Sequence, residues 1–490
     1  MQRVVVIGSG FAGLAAACHL AQAGYDVVVL ERNAQAGGRA RTWVHEGYTF
    51  DMGPSWYWMP DVFEDFFARF GKQPADYYRL VRLDPSYRVW LPDGGQVDVP
   101  ADRAGQDALF ESREPGSAAR LRTFLAEAAD TYRIGMGEFV RKPSLSVREF
   151  LDPRLLTLAP KLGMFTSMRE RVARVVRDDA LRQILEFPVL FLGGTARQIP
   201  AMYSLMNHAD LVQGTWYPMG GMRLVAKAMI ALAGSLGVDI RTGAEVSSIR
   251  VERGRATGVV VDGEDIAADW VVAAGDTHHM EQSLLAPDHR DHDEAWWDRK
   301  VLSPSSLLAF VGVDRRLDRL EHHNLFFDEG LDAHAETIYG NKRWPERPLF
   351  YACCPSRTDP AVAPEGCENL FLLVPLAVGL EDTDAARERV LSTVFDRLEA
   401  RVGVPVRRHI QVLRTYAHRD FEADYHAYKG NAYGLANTLS QTAIFKPRMR
   451  SRKVGNLVYA GQLTVPGPGV PPSLISGELA AGIVLSERRA

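Results

Sequence analysis

Three glycines near the start of the chain constrain its fold more than any other feature of the sequence. Gly8, Gly10 and Gly13 follow the apolar residues 4–7 and precede a helical pattern over residues 14–23. This order predicts a buried strand, a tight turn and a helix, which together open a parallel α/β unit. In such a unit the first glycine makes the turn, the second lets a pyrophosphate touch the backbone, and the third lets helix and strand pack closely.

An acidic residue completes the pattern. A second apolar run, residues 27–30, leads to Glu31, which lies eighteen residues after Gly13. At that position a carboxylate accepts hydrogen bonds from ribose hydroxyls, while amides at the helix N-terminus bind phosphate oxygens. The sequence therefore predicts a bound adenine dinucleotide without a 2′-phosphate. The residues predicted to hold it are Gly8, Gly10, Phe11, Ala12, Gly13 and Glu31.

Length, composition and charge limit the remaining possibilities. The chain has 490 residues, of which 46% are hydrophobic, and this predicts two or three domains with large cores. The net charge of −4 gives no electrostatic argument for nucleic acid binding. The longest apolar run, residues 370–380, has 11 residues and contains Pro375, whereas a membrane span needs about 18. We therefore expect a cytoplasmic protein that contacts at most one leaflet of a membrane.

The cysteines and histidines indicate neither a disulfide framework nor a metal site. Four cysteines are too few for such a framework, and the adjacent Cys353 and Cys354 are not expected to bridge. The histidines lack the sequence spacing to cysteines or carboxylates that metal sites have, even where they stand in pairs, as His322 and His323 do. We therefore expect buried thiols, structural or solvated histidines and no metal.

The dinucleotide unit is predicted to be assembled from separate stretches of chain. After a helix that ends near Leu236, short strands with glycine-containing turns predict an antiparallel meander. Residues 270–275 and 456–461 predict two more buried strands that end in glycine, and a last helix is expected to start near Ser473. The intervening chain has other patterns, including an arginine-rich helix over residues 169–185, and is assigned to a substrate domain.

Residues 32–42 distinguish between the possible dinucleotides. They contain a glycine pair followed by two arginines, Arg39 and Arg41, where a NAD-binding domain would continue with a helix. This stretch resembles the extended FAD fingerprint of flavin oxidoreductases related to amine oxidases and carotenoid desaturases. In that family the glycine pair and the following arginine pass close to the pyrophosphate, and the arginine fork matches phosphate oxygens. Residues 51–56 continue the family pattern beside the flavin, so FAD is preferred over NAD.

Over its whole length the chain resembles bacterial carotenoid desaturases of the phytoene desaturase family. Besides the N-terminal fingerprint, the matching segments are residues 217–222, 458–461 and 466–471. The resemblance implies an α/β fold, with a discontinuous Rossmann-like FAD-binding domain and an inserted α+β substrate domain. The predicted FAD-binding pieces are residues 1–76, 217–282 and 454–490, and the predicted substrate-domain pieces are residues 77–216 and 283–453.

The resemblance also implies most of the site. The further FAD contacts that it adds are Arg32, Gly38, Arg39, Gly53, Pro54, Ser55, Val246, Gly461, Gln462, Gly469, Val470 and Pro471. Many relatives in the superfamily have an aspartate where this chain has Gln462, which can exchange hydrogen bonds but supplies no charge. Trp56 and Trp58 either line the substrate site or pack in an ordinary core. No catalytic acid or base is identified, since the flavin carries the difficult step.

The function implied by the resemblance is desaturation of a carotenoid precursor such as phytoene, with hydride transfer from an allylic C–H to the flavin. An apolar polyene requires an apolar tunnel, and we expect the enzyme to sit peripherally on one membrane leaflet and to pass electrons to a quinone or oxygen. The basic residues 448–453 either attract anionic lipid or form a solvated loop. The alternatives are a carotenoid cis/trans isomerase of the same family, a flavin amine oxidase and, disfavoured by the intact glycine pattern, a non-enzymatic isoprenoid escort protein.

Overall fold

A five-stranded parallel sheet joins the beginning, the middle and the end of the chain. The computed structural model describes residues 1–146, 149 and 162–488. Both N-terminal strands are apolar and almost fully buried, as expected for a parallel sheet covered on both faces. In sheet order the strands are Leu457–Tyr459, Trp270–Ala273, Arg3–Ile7, Asp26–Glu31 and Asp239–Thr242. The predicted α/β fold with a Rossmann-like sheet is therefore confirmed.

The predicted antiparallel meander lies, in the sequence, between the strands Asp239–Thr242 and Trp270–Ala273 of this sheet. Its first hairpin turns at Arg253 and Gly254, whose φ angles of 51° and 74° are both positive. Such a two-residue turn matches the twist of the strands that it connects. The three strands are Val246–Glu252, Arg255–Val261 and Glu264–Ala267.

A seven-stranded sheet forms the core of the other half of the molecule. Its strands pair in antiparallel fashion except for one parallel pair, His323–Phe326 with Tyr87–Trp90. In sheet order they are Ile410–Tyr416, Ser305–Val313, Glu368–Leu376, Phe350–Cys353, His323–Phe326, Tyr87–Trp90 and Gln96–Val99. Two short hairpins pair Thr42–His45 with Tyr48–Asp51, and Leu80–Arg82 with Trp216–Pro218.

The first and last helices are in close contact. A Cβ at Gly477 of the C-terminal helix would lie 2.1 Å from the carbonyl oxygen of Ala12, so only glycine permits this approach. The α-helices of the described residues span Phe11–Gln22, Pro60–Ala68, Arg103–Arg113, Ser117–Ile134, Met168–Val172, Asp179–Glu186, Leu205–Asn207, Arg223–Ser235, Thr277–Gln282, Glu294–Asp298, Leu331–Ala335, Asp384–Val402, His418–Tyr425 and Val470–Glu487.

Two helix predictions need correction. The expected helix over residues 169–185 is two helices, Met168–Val172 and Asp179–Glu186. The break arises because the Asp178 side chain accepts a hydrogen bond from the amide of Leu181 and so caps a new helix. The last helix begins at Val470 rather than near Ser473, since prolines are accommodated in a first turn.

Two further expectations concern the organisation of the chain. The domain boundaries at residues 76, 216, 282 and 453 stay predictions. Among the residues that the structure describes, no helix combines the length and apolar character that crossing a membrane requires.

Candidate cofactor and substrate site

The N-terminal glycine turn has the geometry of a phosphate cradle. Gly8 follows the first strand with φ at 99°, and its amide donates to Leu30 O at 2.8 Å. A Cβ at Gly13 would lie 2.0 Å from the Gly8 carbonyl oxygen, so the helix meets the turn at backbone contact. No side chain of the described residues caps this helix at Gly10, which leaves its first amides for an anionic ligand. Phe11 and Ala12 form the buried start of the helix.

Glu31 lies at the carboxyl end of the second strand and is 4% exposed. One carboxylate oxygen accepts from the amide of Ser9 at 3.0 Å and from its hydroxyl at 2.7 Å. The other accepts from the amide and the side chain of Asn33, both at 2.9 Å. Because these bonds use the usual accepting positions of a carboxylate, a ribose at this site would replace the Ser9 hydroxyl or the Asn33 amide group.

Arg39 directly follows a glycine that contacts the glycine cradle. The preceding Gly38 is so close to Gly10 that a Cβ there would lie 2.9 Å from the Gly10 Cα. The guanidinium donates to Asn431 O at 3.2 Å, while its buried Nε has no hydrogen-bond partner among the described residues. Burial lowers the pKa of Arg39, against the opposing effect of Tyr425 and Asp276. A guanidinium with an unused donor beside free helix amides fits a pyrophosphate.

The segment around Gly53 connects the cradle to the middle of the chain. The Asp51 carboxylate accepts from the amides of Met222 at 2.7 Å and Arg223 at 3.1 Å. Burial raises the pKa of Asp51 to about 6, although these two amide bonds act in the opposite direction. Asp51 thereby anchors the glycine-rich segment of residues 217–222 beside Gly53, Pro54 and Ser55.

A polar network missed by the sequence analysis links the three pieces of the cofactor region. Asn431 accepts from Gln462 Nε2 at 2.8 Å and donates to Asp276 Oδ2 at 3.2 Å, and its carbonyl oxygen accepts from Arg39. Burial raises the pKa of Asp276. Gln462 therefore has a defined orientation without a charge of its own. Asp276 follows a buried strand by three residues, and this was a signal that sequence analysis could have used.

The C-terminal helix begins beside this network. Gly461 donates its amide to Ser476 Oγ at 2.9 Å, which ties the end of the last strand to the helix. Gly469 is the N-cap, with φ at 113°, and Val470 and Pro471 lie in the first turn. This arrangement directs a helix N-terminus toward the loop of residues 461–469.

Two predicted cofactor contacts lie at the edge of the cradle. Arg32 donates to Ala423 O at 2.7 Å and pairs with Glu245 at 3.5 Å. Val246 is buried at the start of its strand, two residues after Ala244, whose amide donates to Glu31 O at 2.8 Å. Their roles as FAD contacts stay predictions.

The two tryptophans that follow Ser55, Trp56 and Trp58, differ in their exposure. Trp56 is half-buried and stacks on the His323 ring with a centroid distance of 4.0 Å. Trp58 is 6% exposed, and its Nε1 donates to Thr215 Oγ1 at 2.9 Å. Of the two tryptophans, Trp56 is therefore the more accessible. A small cavity of about 20 Å³ adjoins this region and is lined by Phe50, Asp51, Ser55, Tyr217, Cys353, Pro355, Asn369 and Phe371.

The fold brings together residues that the sequence spacing kept apart. Potential ligand atoms of His322, His323 and Cys353 lie within 4.8 Å of one another, a proximity that the sequence spacing did not indicate. His322 Nδ1 pairs with Thr358 Oγ1 at 2.8 Å, and His323 Nδ1 with the Tyr351 hydroxyl at 2.6 Å. Burial lowers the pKa of His322 to about 3 and holds that of His323 well below its usual range, so both rings are neutral.

The Tyr351 hydroxyl also donates to Ser55 Oγ at 3.1 Å. Ser55, Tyr351 and His323 thus form a continuous polar chain next to Trp56. All four cysteines are free thiols, and Cys18, Cys353 and Cys354 are buried as expected, whereas Cys367 is only half-buried.

Comparisons with known proteins agree with this geometry. The family model for flavin containing amine oxidoreductases matches residues 11–485. The chain is 42% identical to the carotenoid 3,4-desaturase of Haloarcula japonica, over 99% of this chain and 98% of that protein. It is 33% identical to the zeta-carotene-forming phytoene desaturase of Myxococcus xanthus, over 100% and 97% of the two chains. A solved structure of a putrescine oxidase triple mutant superimposes with a TM-score of 0.65 at 16% identity, over 99% of both chains.

Proposed function

The chain belongs to the carotenoid desaturases within the flavin-containing amine oxidoreductase family, and we propose that it desaturates a carotenoid or a carotenoid precursor such as phytoene, with FAD as its cofactor. The observation that carries this proposal is the full-length similarity to the Haloarcula japonica enzyme. The complete cradle of glycines, Glu31 and Arg39 supports it.

The cofactor would be held by residues from the separate stretches of chain that form the parallel sheet. The helix amides after Gly10 and the Arg39 guanidinium would hold the pyrophosphate, and Glu31 the ribose. Gln462, oriented by Asn431, would bind the ribityl chain. The first turn of Val470–Glu487 would lie at the flavin ring.

The flavin, when bound, supplies the two-electron acceptor that takes a hydride from an allylic C–H. The protein must then hold a hydrocarbon with no polar group in one register against the ring. Trp56, half-buried and fixed by stacking on His323, is the side chain that we assign to this task. Trp58 is buried and fixed by its hydrogen bond to Thr215, so we assign it to supporting Trp56.

Expression in hosts that accumulate phytoene or lycopene tests the reaction. We expect a shift of the pigment absorption to longer wavelength, because each new double bond extends the conjugated system. A cis/trans change without added double bonds would identify an isomerase. Flavin bleaching by amines but not by polyenes would identify an amine oxidase.

We further propose that the protein works in the cytoplasm on one membrane leaflet and passes electrons to a quinone or to oxygen. Its proposed substrate dissolves in lipid, and Arg452 and Lys453 are exposed in the basic segment 448–453. We expect the purified protein to float with liposomes, more strongly with anionic than with neutral ones. Absence from the floating fraction of both liposome types would contradict access from the lipid.

A further inference from the structure

A buried lysine lies beside the loop that leads into the C-terminal helix. Lys446 is 4% exposed, and its Nζ has no hydrogen-bond partner among the described residues. A Cβ at Gly467 would lie 3.3 Å from this Nζ and 3.0 Å from the Oδ1 of Asn437, an atom that also lacks a partner in the described part of the chain. An amine and an amide oxygen, both unsatisfied, therefore converge next to Gly467, two residues before the N-cap Gly469.

The surroundings of Lys446 disfavour its charged form. Burial lowers the pKa of Lys446 to about 7, and no charged side chain of the described residues offsets this effect. Tyr203, which bonds Thr442 four residues before Lys446 in the chain, has its pKa raised by burial. The Asn437 side chain is uncharged, and its backbone amide donates to Leu192 O at 2.8 Å. At neutral pH much of Lys446 is therefore a free amine, and a free amine is a base.

We propose that Lys446 is the proton acceptor of the desaturation reaction, an inference that rests on the function proposed above. Desaturation removes a hydride from one carbon and a proton from its neighbour. The flavin supplies the acceptor for the hydride. The proton passes from the second carbon to the lone pair of Lys446 Nζ, the electrons of that C–H bond form the new π bond, and the resulting ammonium donates to Asn437 Oδ1.

The uncharged state of Lys446 is essential to this role. A carbon that is losing a hydride becomes electron-poor, and a fixed positive charge nearby would oppose that change in an apolar site. A neutral amine does not oppose it and gains its charge only with the proton. Activity should therefore be lost as the pH falls below about 7, where Lys446 becomes protonated.

The first experiment measures the protonation of Lys446 without using activity. Urea unfolding of the flavin-loaded protein is followed between pH 6 and pH 10 for wild type and Lys446→Met. Because the unfolded lysine keeps its proton to a higher pH than the folded one, the stability of wild type should rise relative to that of Lys446→Met as the pH increases. The gain should be about tenfold in the unfolding constant per pH unit above about 7. Lys72→Met, at an exposed lysine, is the matched control and should keep the wild-type slope.

The second experiment measures flavin bleaching by polyene in single-turnover, oxygen-free mixing between pH 5.5 and pH 9. We expect wild type and Lys72→Met to lose rate below pH 7. Lys446→Met and Lys446→Arg should be slower by about 100-fold or more, without that pH dependence, because neither side chain can take up a proton. Lys446→Gln, a smaller polar replacement, provides a further check that flavin content and folding are retained.

The outcomes separate the two proposals. Wild-type bleaching that is unchanged in Lys446→Met would overturn the role of Lys446 while leaving desaturation intact. Loss of bound flavin in both Lys446→Met and Lys446→Gln would assign the lysine to cofactor retention and also overturn it. If no polyene bleaches wild type, the proposed function fails and the base falls with it, whatever the unfolding slope.

Discussion

The cofactor half and the substrate half of the site are built in different ways. In the cofactor half, Gly8, Gly13 and Glu31 lie within one strand–turn–helix–strand unit and act through backbone proximity and bonds to near neighbours. In the substrate half, Trp56, Tyr351 and His323 come from distant parts of the chain and act through side chains. The first half therefore depends on local backbone geometry, and the second on tertiary packing.

A methyl group at Gly13 should have the largest effect, confined to the cofactor half. In Gly13→Ala the new Cβ would lie 2.0 Å from the Gly8 carbonyl oxygen, so the turn must move. We expect loss of bound flavin and a decrease of about 3 kcal/mol in the free energy of unfolding. Absorption of the purified protein and urea unfolding measure the two effects.

Gly482→Ala provides the matched control in the C-terminal helix. No heavy atom of the described residues lies within 4 Å of its added Cβ, and the site is exposed. This variant should keep its flavin and gain about 0.5–1 kcal/mol, because alanine stabilises helices relative to glycine. Equal flavin content in both variants would mean that the cradle does not depend on backbone contact.

Removing the Glu31 carboxylate should have the next largest effect. Glu31→Ala deletes a charged acceptor and also releases Ser9 and Asn33, so FAD affinity should fall by about 1.5–3 kcal/mol. Equilibrium dialysis of reconstituted protein measures the affinity, with Glu264→Ala at an exposed strand position as the control. Unaltered FAD binding would show that the ribose does not depend on this residue.

Gly13 and Glu31 belong to the part of the site that could be predicted from the sequence. The glycine turn, Glu31 and the first two parallel strands were predictable because contacts within about 30 residues follow from periodicity and glycine spacing. In the network of Arg39, Asn431 and Gln462, only Asn431 was not predicted, because it lies in a loop without a sequence pattern. The approach of His322 to Cys353 depends on the pairing of two strands, which periodicity does not specify.

Asp51 lies between the two halves of the site and should make the stability of the protein depend on pH. Burial raises the pKa of Asp51 to about 6, so the folded protein binds a proton between pH 4 and 6 that the unfolded chain has released. Stability should therefore fall as the pH rises through this window, by up to about 1.4 kcal/mol per pH unit. Asp51→Asn should lack this slope in urea unfolding, whereas the exposed Asp288→Asn should retain it. Identical slopes in all three proteins would place the Asp51 carboxylate in contact with water.

The smallest predicted effect asks whether the C-terminal helix reaches from the cofactor half to the reacting end of the flavin. Ser473 is half-buried in the first turn of Val470–Glu487, where the helix dipole favours negative charge. Reduction of a flavin adds such charge, so a carboxylate in Ser473→Asp should oppose it and lower the two-electron potential. A cost of about 0.3–2 kcal/mol corresponds to roughly 5–45 mV. Ser486→Asp, in the last turn of the same helix, should leave the potential unchanged. A wild-type potential in Ser473→Asp, with flavin bound, would mean that this helix does not face the flavin and that the C-terminal segment belongs to the scaffold alone.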